Sequence, residues 1–415
     1  MRILVVSNLF PPAAVGGYEM CCSEVAERLA ERHEVLVLTS IRGGDGARGR
    51  VPVRRELPLL PATPRGSLRA PAAAITAARL TRRLLAEFRP ELIFVWNGAG
   101  IPHVTLRVFE LSGAPVAYSV AEHWFGQMYR NDQFLRHLFP GDRGMRRPWA
   151  LLMRGVNLHP ALKIELQQPV PAAVVWNSNA LRGMTPMPET LEPILERTIY
   201  PATSRHALYA ELERQPARLP TVLFIGRLER VKGPDVAYRA LADLRVRHGL
   251  AARLLMVGSS KAPERRELAA LAAQLGITPD VELTGQLGSS ELAARLSEAH
   301  ALVVPSRWEE PFGLVCIEAA LARVPVVAAR SGGIPEALHE DEHALFFEKE
   351  DHAACADALA ATLTGGAATE ARVRRAYEHA CHFSSARHLE EMEGFAEAAV
   401  TELSNIRRAR AATES

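Results

Sequence analysis

Two glutamates eight positions apart, Glu310 and Glu318, offer the first chemistry in this chain, with Pro311-Phe312-Gly313-Leu314-Val315 close behind the first. Glu310 follows an apolar run, Ala301-Leu302-Val303-Val304, that reads as a buried parallel strand. Loops at the carboxyl ends of parallel strands are where open α/β sheets bind ligands. This loop would supply a carboxylate, a proline and a glycine that shape the backbone, and a helix start whose free N–H groups suit an anion. Taken alone, two carboxylates at this spacing also fit a capped core helix. A second constellation is cationic: Arg227 and Lys232 within Gly226-Arg227-Leu228-Glu229-Arg230-Val231-Lys232-Gly233. The chain has 45 arginines but only four lysines (Lys163, Lys232, Lys261, Lys349), so a lysine here is not a default choice. Lysine is a compact charge that reaches between phosphate oxygens, whereas arginine presents a planar fork. The blander reading is a surface turn with two basic residues.

Strands and helices must hold these groups. Ile3–Val6 reads as a strand, followed by Gly16-Gly17 and a helix with Tyr18, Cys22, Val25 and Leu29 on one face. Glycines at that helix start let the backbone approach a phosphate or sugar. Strands follow at 34–39, 92–96 and 115–120, and the last places His123 just past its carboxyl end, on the ligand side. Residues 174–178 look like the last strand of a first domain. From Thr221 the pattern restarts, with strands at 222–225, 254–257, 281–283, 301–304 and 326–328 alternating with helical patterns, which implies a parallel sheet. Residues 41–72 are rich in Gly, Pro and Arg and read as a long loop, with a helix around 73–88. The stretch 126–165 mixes Tyr129, Phe134, Phe139 and Trp149 with six arginines. It reads either as an interfacial segment meeting lipid-linked acceptors or, preferred because Asp132, Pro140 and Pro148 break the pattern, as helices with an exposed basic face.

With these elements in place, the motifs resemble those of the GT-B fold glycosyltransferases of family 4, retaining enzymes that use nucleotide-activated sugars. Glu310-Pro311-Phe312-Gly313 with Glu318, the Gly-Arg-Leu…Lys-Gly segment, Gly16-Gly17-Tyr18-Glu19 and Ser331-Gly332-Gly333-Ile334-Pro335-Glu336 carry the likeness. It covers almost all of the second half and only parts of the first. It implies two doubly wound Rossmann-like α/β domains facing a central cleft: an acceptor domain over 1–200, a donor domain over 201–385, and a helix over 386–415 crossing back to the first. It also implies roles. Arg227 and Lys232 would hold the donor diphosphate, Glu310 hydroxyls of the donor sugar, and Glu318 the ribose hydroxyls. His123 would lie near the transferred sugar. Gly16, Gly17, Phe312, Gly313, Leu314, Val315, Gln286 and Leu287 would line the donor. A carboxylate pairing with a diol is sound chemistry, because an ionised carboxylate accepts two hydrogen bonds at once. Where many members carry Pro-Asn-Gly-Val at the hinge, this chain has Ile199-Tyr200-Pro201-Ala202-Thr203. Two other classes stay open: a nucleotide-sugar hydrolase or epimerase on the same fold, and a non-catalytic sugar-nucleotide binder that partners another transferase.

Bulk properties agree. A chain of 415 residues is long for one core. Charged residues make up 23% and hydrophobic ones 48%, as in soluble globular proteins. The net charge of +2 conceals a basic first half and an acidic second half, read as a solvated surface rather than as a nucleic-acid or membrane face. Five cysteines, an odd number with no Cys-x-x-Cys, suggest reduced core thiols and a cytoplasmic protein. Met1-Arg2 precedes only a short apolar run with no cleavage pattern, and charges interrupt every long apolar stretch. The sequence holds no Asp-x-Asp, which agrees with the metal independence the resemblance implies, and no cofactor or metal ligand is expected. The expected partners are a nucleotide-diphosphate sugar and a sugar, lipid-linked or small-molecule acceptor, with peripheral membrane contact left open.

Overall fold

Apolar runs with little alternation dominate the strands, as expected where a parallel sheet is covered on both faces. The computed structural model describes all residues except 14–16, 43–48, 60–63, 139–146 and 415. The described residues form two compact units. The first comprises Met1–Asn177, Leu181–Ile199 and His388–Ser415; the second comprises Ser178–Ala180 and Tyr200–Arg387.

In the first unit, seven parallel strands, β1 (Arg2–Ser7), β2 (Glu34–Ser40), β3 (Val53–Leu57), β4 (Leu92–Asn97), β5 (Val116–Val120), β6 (Val170–Trp176) and β7 (Leu191–Thr198), pair in the order β3-β2-β1-β4-β5-β6-β7. Ile3, Leu4, Val5 and Val6 of β1 are fully buried between the Gly17–Leu29 helix side and the opposite face. The Ser385–Glu414 helix contributes Met392, Phe395, Ala396, Ala399 and Leu403 to the same core as Phe94 and Trp96. Phe395 meets Phe94 at 6.1 Å between ring centroids, and Arg32 bonds Glu393 at 2.7 Å. The terminal helix therefore belongs to the first unit from His388 onward.

The second unit has six parallel strands, β8 (Thr221–Ile225), β9 (Arg253–Val257), β10 (Val281–Gly285), β11 (Ala301–Val304), β12 (Val326–Ala329) and β13 (Leu345–Phe347), in the order β10-β9-β8-β11-β12-β13. Connections run outward in one direction from β8 and in the other from β11, so the strand order reverses between these two. That reversal opens the crevice in which doubly wound sheets take ligands. The loops of the two motifs leave these two strands.

Several elements differ from expectation, β13 among them. Residues 41–72 are not one long loop: β3 lies at Val53–Leu57, and a helix runs Pro64–Phe88. β3 reads Val-Arg-Arg-Glu-Leu because an edge strand tolerates charge, which also guards its open hydrogen bonds. The helix is hidden by Pro71 within it and Gly66 near its start. β6 is followed by β7, another edge strand, whose Pro193 sits where β6 shifts register between Ala172 and Ala173.

Candidate functional site

The loop after β8 turns through Gly226 to Gly233, and the loop after β11 through Pro305 to Gly313. Backbone closeness joins them. Gly233 has φ +68°, and a Cβ there would stand 2.0 Å from the Pro305 carbonyl oxygen. Arg307 N–H donates to the Val231 carbonyl at 2.9 Å. The Arg307 guanidinium forks onto Asp235, Nη1 to Oδ1 at 2.6 Å and Nη2 to Oδ2 at 2.8 Å. Burial would raise the Asp235 carboxyl, but Arg307 holds it below the usual range. The loop after β12 closes on the same place. Gly333 N–H donates to the Glu310 carbonyl at 2.7 Å, and a Cβ on Gly332 would sit 2.2 Å from that oxygen. The Gly-Gly pair of the Ser331–Glu336 motif is thus a backbone seat for Glu310.

That seat presents a cation and a carboxylate together. Lys232 Nζ lies 2.6 Å from Glu310 Oε1, and the Ser306 hydroxyl donates to the same oxygen at 2.6 Å. The two charged side chains are 23% and 12% exposed, so the pair is shielded but reachable. Gly313, with φ +93°, precedes the Leu314–Leu321 helix, which has no side-chain cap. The first N–H groups of a helix have no partner within it, so those of Leu314 and Val315 are available to an anion. Arg227 is half exposed and paired with Glu229 at 3.0 Å.

Glu318, one turn into that helix, is buried. The Thr203 hydroxyl donates to its Oε1 at 2.7 Å, and Arg205 Nη1 lies 3.3 Å from the same atom. Burial pushes this carboxyl up, and Thr203 and Arg205 pull against that. Gln286 is exposed and Leu287 half-buried in the turn between β10 and the Ser289–Glu298 helix. Phe312 is only 2% exposed. Its ring packs at 5.4 Å on Tyr200 and on Phe383, so what it offers a ligand is main chain.

The first unit holds the remaining candidates. Gly17 opens the Gly17–Leu29 helix, while Gly16 lies outside the described residues. The Tyr18 hydroxyl lies between the carbonyl oxygens of Trp96 and Ser119, 2.7 Å from the latter, which fixes the helix start to the ends of β4 and β5. His123 stands three residues beyond β5 and is half-buried.

Sequence reasoning missed Ser306, Thr203, Arg205 and the Arg307–Asp235 fork. It also gave the motif's Glu336 no role. Its carboxylate accepts from Asn179 N–H at 2.8 Å, from Ala180 N–H, and from the Tyr200 hydroxyl at 3.0 Å. Arg307 had a signal in its place at the head of the Glu310 stretch, and Thr203 in the segment that departs from the hinge pattern.

Two further clusters have metal-ligand chemistry, His33 with Glu393 and Glu397 in the first unit, and in the second His339, Glu342 and His343, whose ligand atoms lie within 4.8 Å of one another. His343 Nδ1 accepts from the His339 N–H at 3.2 Å, which leaves the ring proton on Nε2, the atom facing Glu342 at 3.8 Å. A ligating imidazole donates its other N–H instead. The arrangement is therefore one of packed rings, with His379 stacked on His343 at 4.4 Å and pushed down to about 4 by burial and by His343 and His339.

Comparison with known proteins divides along the same lines. Residues 211–379 match the family model of glycosyl transferases group 1, and residues 15–158 that of glycosyltransferase family 4. The D-inositol 3-phosphate glycosyltransferase of Acidothermus cellulolyticus is 39% identical over 168 residues, 39% of this chain and 37% of that protein. Its counterpart in Nocardia farcinica is 36% identical over 200 residues, 47% of this chain and 44% of that protein. The chain thus matches these curated relatives over less than half their length. A glycosyltransferase from Rickettsia africae has the same fold with a TM-score of 0.70 at 17% identity, over 96% of this chain and 98% of that one. HepE of Anabaena, solved in complex with UDP-glucose, gives 0.63 at 18% identity over 96% and 99%.

Proposed function

We propose that this chain, which belongs to the family 4 glycosyltransferases of the GT-B fold, moves a sugar from a nucleoside-diphosphate sugar to an acceptor hydroxyl. The observation that carries the reading is the Lys232–Glu310–Ser306 cluster set beside the open start of the Leu314–Leu321 helix. In the transfer, the anomeric C–O bond to the diphosphate breaks, the acceptor oxygen bonds to that carbon and its proton is released. The hard part is the negative charge that grows on the departing diphosphate. Lys232, Arg227 and the helix N–H groups after Gly313 are the groups of this chain suited to oppose it, preorganised and partly shielded from water. Glu310 would exchange its Lys232 and Ser306 partners for hydroxyls of the transferred sugar, and Glu318 would take the ribose diol. Gln286 and Leu287 would lie by the base. His123 is the first-unit residue that the family resemblance assigns to the transferred sugar.

Retention of anomeric configuration, a hexose donor, independence from metal and a cytoplasmic site complete the proposal. The relatives named for an inositol phosphate make inositol phosphates the first soluble acceptors to try. No helix among the described residues is long and apolar enough to cross a membrane. Leu151 and Leu152, exposed on the Arg147–Asn157 helix, keep a lipid-linked acceptor in view. The test incubates the full chain with a panel of nucleotide sugars and these acceptors, with and without EDTA. The products are read by mass spectrometry and the new anomeric proton by NMR. Transfer that survives EDTA, with the donor's configuration kept, is the expected result. Donor cleavage with water as the only acceptor would identify a hydrolase, and no turnover with tight donor binding would identify a non-catalytic binder.

A further inference from the structure

The segment where this chain departs from its family's hinge pattern ends on Glu318. The two donors that reach the Glu318 carboxylate come from that segment's last residue and from two residues beyond it, the Thr203 hydroxyl at 2.7 Å and Arg205 Nη1 at 3.3 Å, and both meet Oε1. Among the described residues no protein donor reaches Oε2. A carboxylate with a 10% exposed side chain is thus clamped by one oxygen and leaves the other to whatever enters. Arg205 does more than touch Glu318. Its Nε donates to Ser289 Oγ at 3.1 Å, at the first residue of the helix that follows Gln286-Leu287-Gly288. Thr203 Oγ1 in turn accepts from the Arg205 N–H at 3.2 Å, so the two residues brace each other. One guanidinium therefore ties the buried carboxylate to the end of the β10 loop.

We propose that Thr203 and Arg205 are positioning residues for the nucleotide: they aim Glu318 Oε2 at the ribose diol and fix the Gln286–Gly288 turn beside it. The inference rests on the reading of Glu318 as the ribose carboxylate. Charge-assisted hydrogen bonds are shorter and stronger than neutral ones, so two of them on Oε1 set both the orientation and the charge of the group. The ionisable neighbours of Glu318 are Arg205, which favours its charged form, and the Tyr209 phenol, itself pushed up by burial and by Glu318. Burial raises the Glu318 carboxyl, with Thr203 and Arg205 as the opposing influences. Removing either lets it rise further, so the protonated, weakly accepting form extends to higher pH. Affinity for a ribose diol then falls as pH is lowered, and falls earlier in the variants than in the wild type.

The experiment is calorimetric titration of the full chain with ADP, GDP, UDP and CDP, and with the 2′,3′-dideoxy form of whichever binds, from pH 5.5 to 8. Thr203→Val and Arg205→Gln should each weaken the ribonucleotide about tenfold near neutral pH, the scale of one lost hydrogen bond to a charged group. The deficit should widen as pH falls. Thr203→Val should change binding of the dideoxy form by no more than about twofold, since it has no diol for Glu318 to hold, and Arg205→Gln, which also frees the Gln286–Gly288 turn, should weaken it less than the ribonucleotide. Thr203→Ser, which keeps the hydroxyl, should bind as the wild type does. Equal weakening of the ribo and dideoxy forms, or a deficit that does not vary with pH, overturns the positioning role while leaving the donor reading intact. Failure of all four nucleotides to bind the wild type overturns the donor reading and this inference with it.

Discussion

Replacing Lys232 by alanine separates what its ion pair does for the fold from what its charge does for the reaction. In the free protein Lys232 neutralises Glu310 at 2.6 Å, and both side chains are largely covered. Removing one partner of a fully buried pair costs ~3–5 kcal/mol because a bare charge stays behind. Here Ser306 still donates to Glu310 Oε1 and water reaches the site, so the expected cost is about 1–3 kcal/mol. In the reaction the same ammonium would oppose charge that grows on the leaving diphosphate. Loss of one preorganised group of that kind lowers kcat by ~10²–10³, or about 3–4 kcal/mol. Lys232→Arg keeps the charge but replaces a compact ammonium by a planar fork, and should restore only part of the rate. Urea denaturation measures the first effect and steady-state kinetics on one identified donor the second. If Lys232→Ala raises KM alone and leaves kcat within about threefold, the leaving-group role is wrong, because only uniform binding has been removed.

Other outcomes follow from the same geometry. Glu318→Gln should raise the Tm of the ligand-free protein increasingly as pH climbs from 5 to 8, while raising donor KM. A carboxyl whose folded-state pKa is raised contributes stability below its unfolded pKa and loses it as pH climbs through the folded value, and the amide has no such loss. An unchanged Tm across pH 5 to 8 would show that burial does not tax this group. Gly332→Ala must place a Cβ 2.2 Å from the Glu310 carbonyl at φ +52°, so it should cost about 2–4 kcal/mol in urea denaturation and lower kcat by displacing Glu310. Phe395→Ala removes a fully buried ring from the core shared by the terminal helix, β1 and β4, and should cost about 3–5 kcal/mol without altering nucleotide affinity.

The parts of the site legible in the sequence are those built by short-range pattern. Glu310, Gly313 and Glu318 share one strand–loop–helix, and Arg227 and Lys232 share another, so spacing alone placed them. Lys232 also stood out because lysine is scarce in this chain. What spacing cannot show is closure between distant segments. Thr203 meets Glu318 across 115 positions and Asp235 meets Arg307 across 72. The hinge departure was visible, but not that it brought two donors to a carboxylate. Phe312 illustrates the converse, a motif residue whose ring is held in an aromatic core with Tyr200 and Phe383. In the fold, central strands such as β1 and β11 announced themselves by unbroken apolar runs, whereas β3 and β7, half-wet at a sheet edge, carry charge and proline, so that β3 reads as loop and β7 gives no strand signal.

The central claim is that the β8 and β11 loops hold the donor's diphosphate through Lys232. Four lysines make this directly observable, since protein labelled with [13Cε]-lysine gives one resonance each from Lys163, Lys232, Lys261 and Lys349. The Lys232→Arg variant assigns the signal of interest by its loss. Titration with a binding nucleoside diphosphate should shift the Lys232 resonance, as its ammonium leaves Glu310 for phosphate, and leave those of Lys163 and Lys261 in place. A nucleotide that binds while the Lys232 resonance stays where it was would contradict the account.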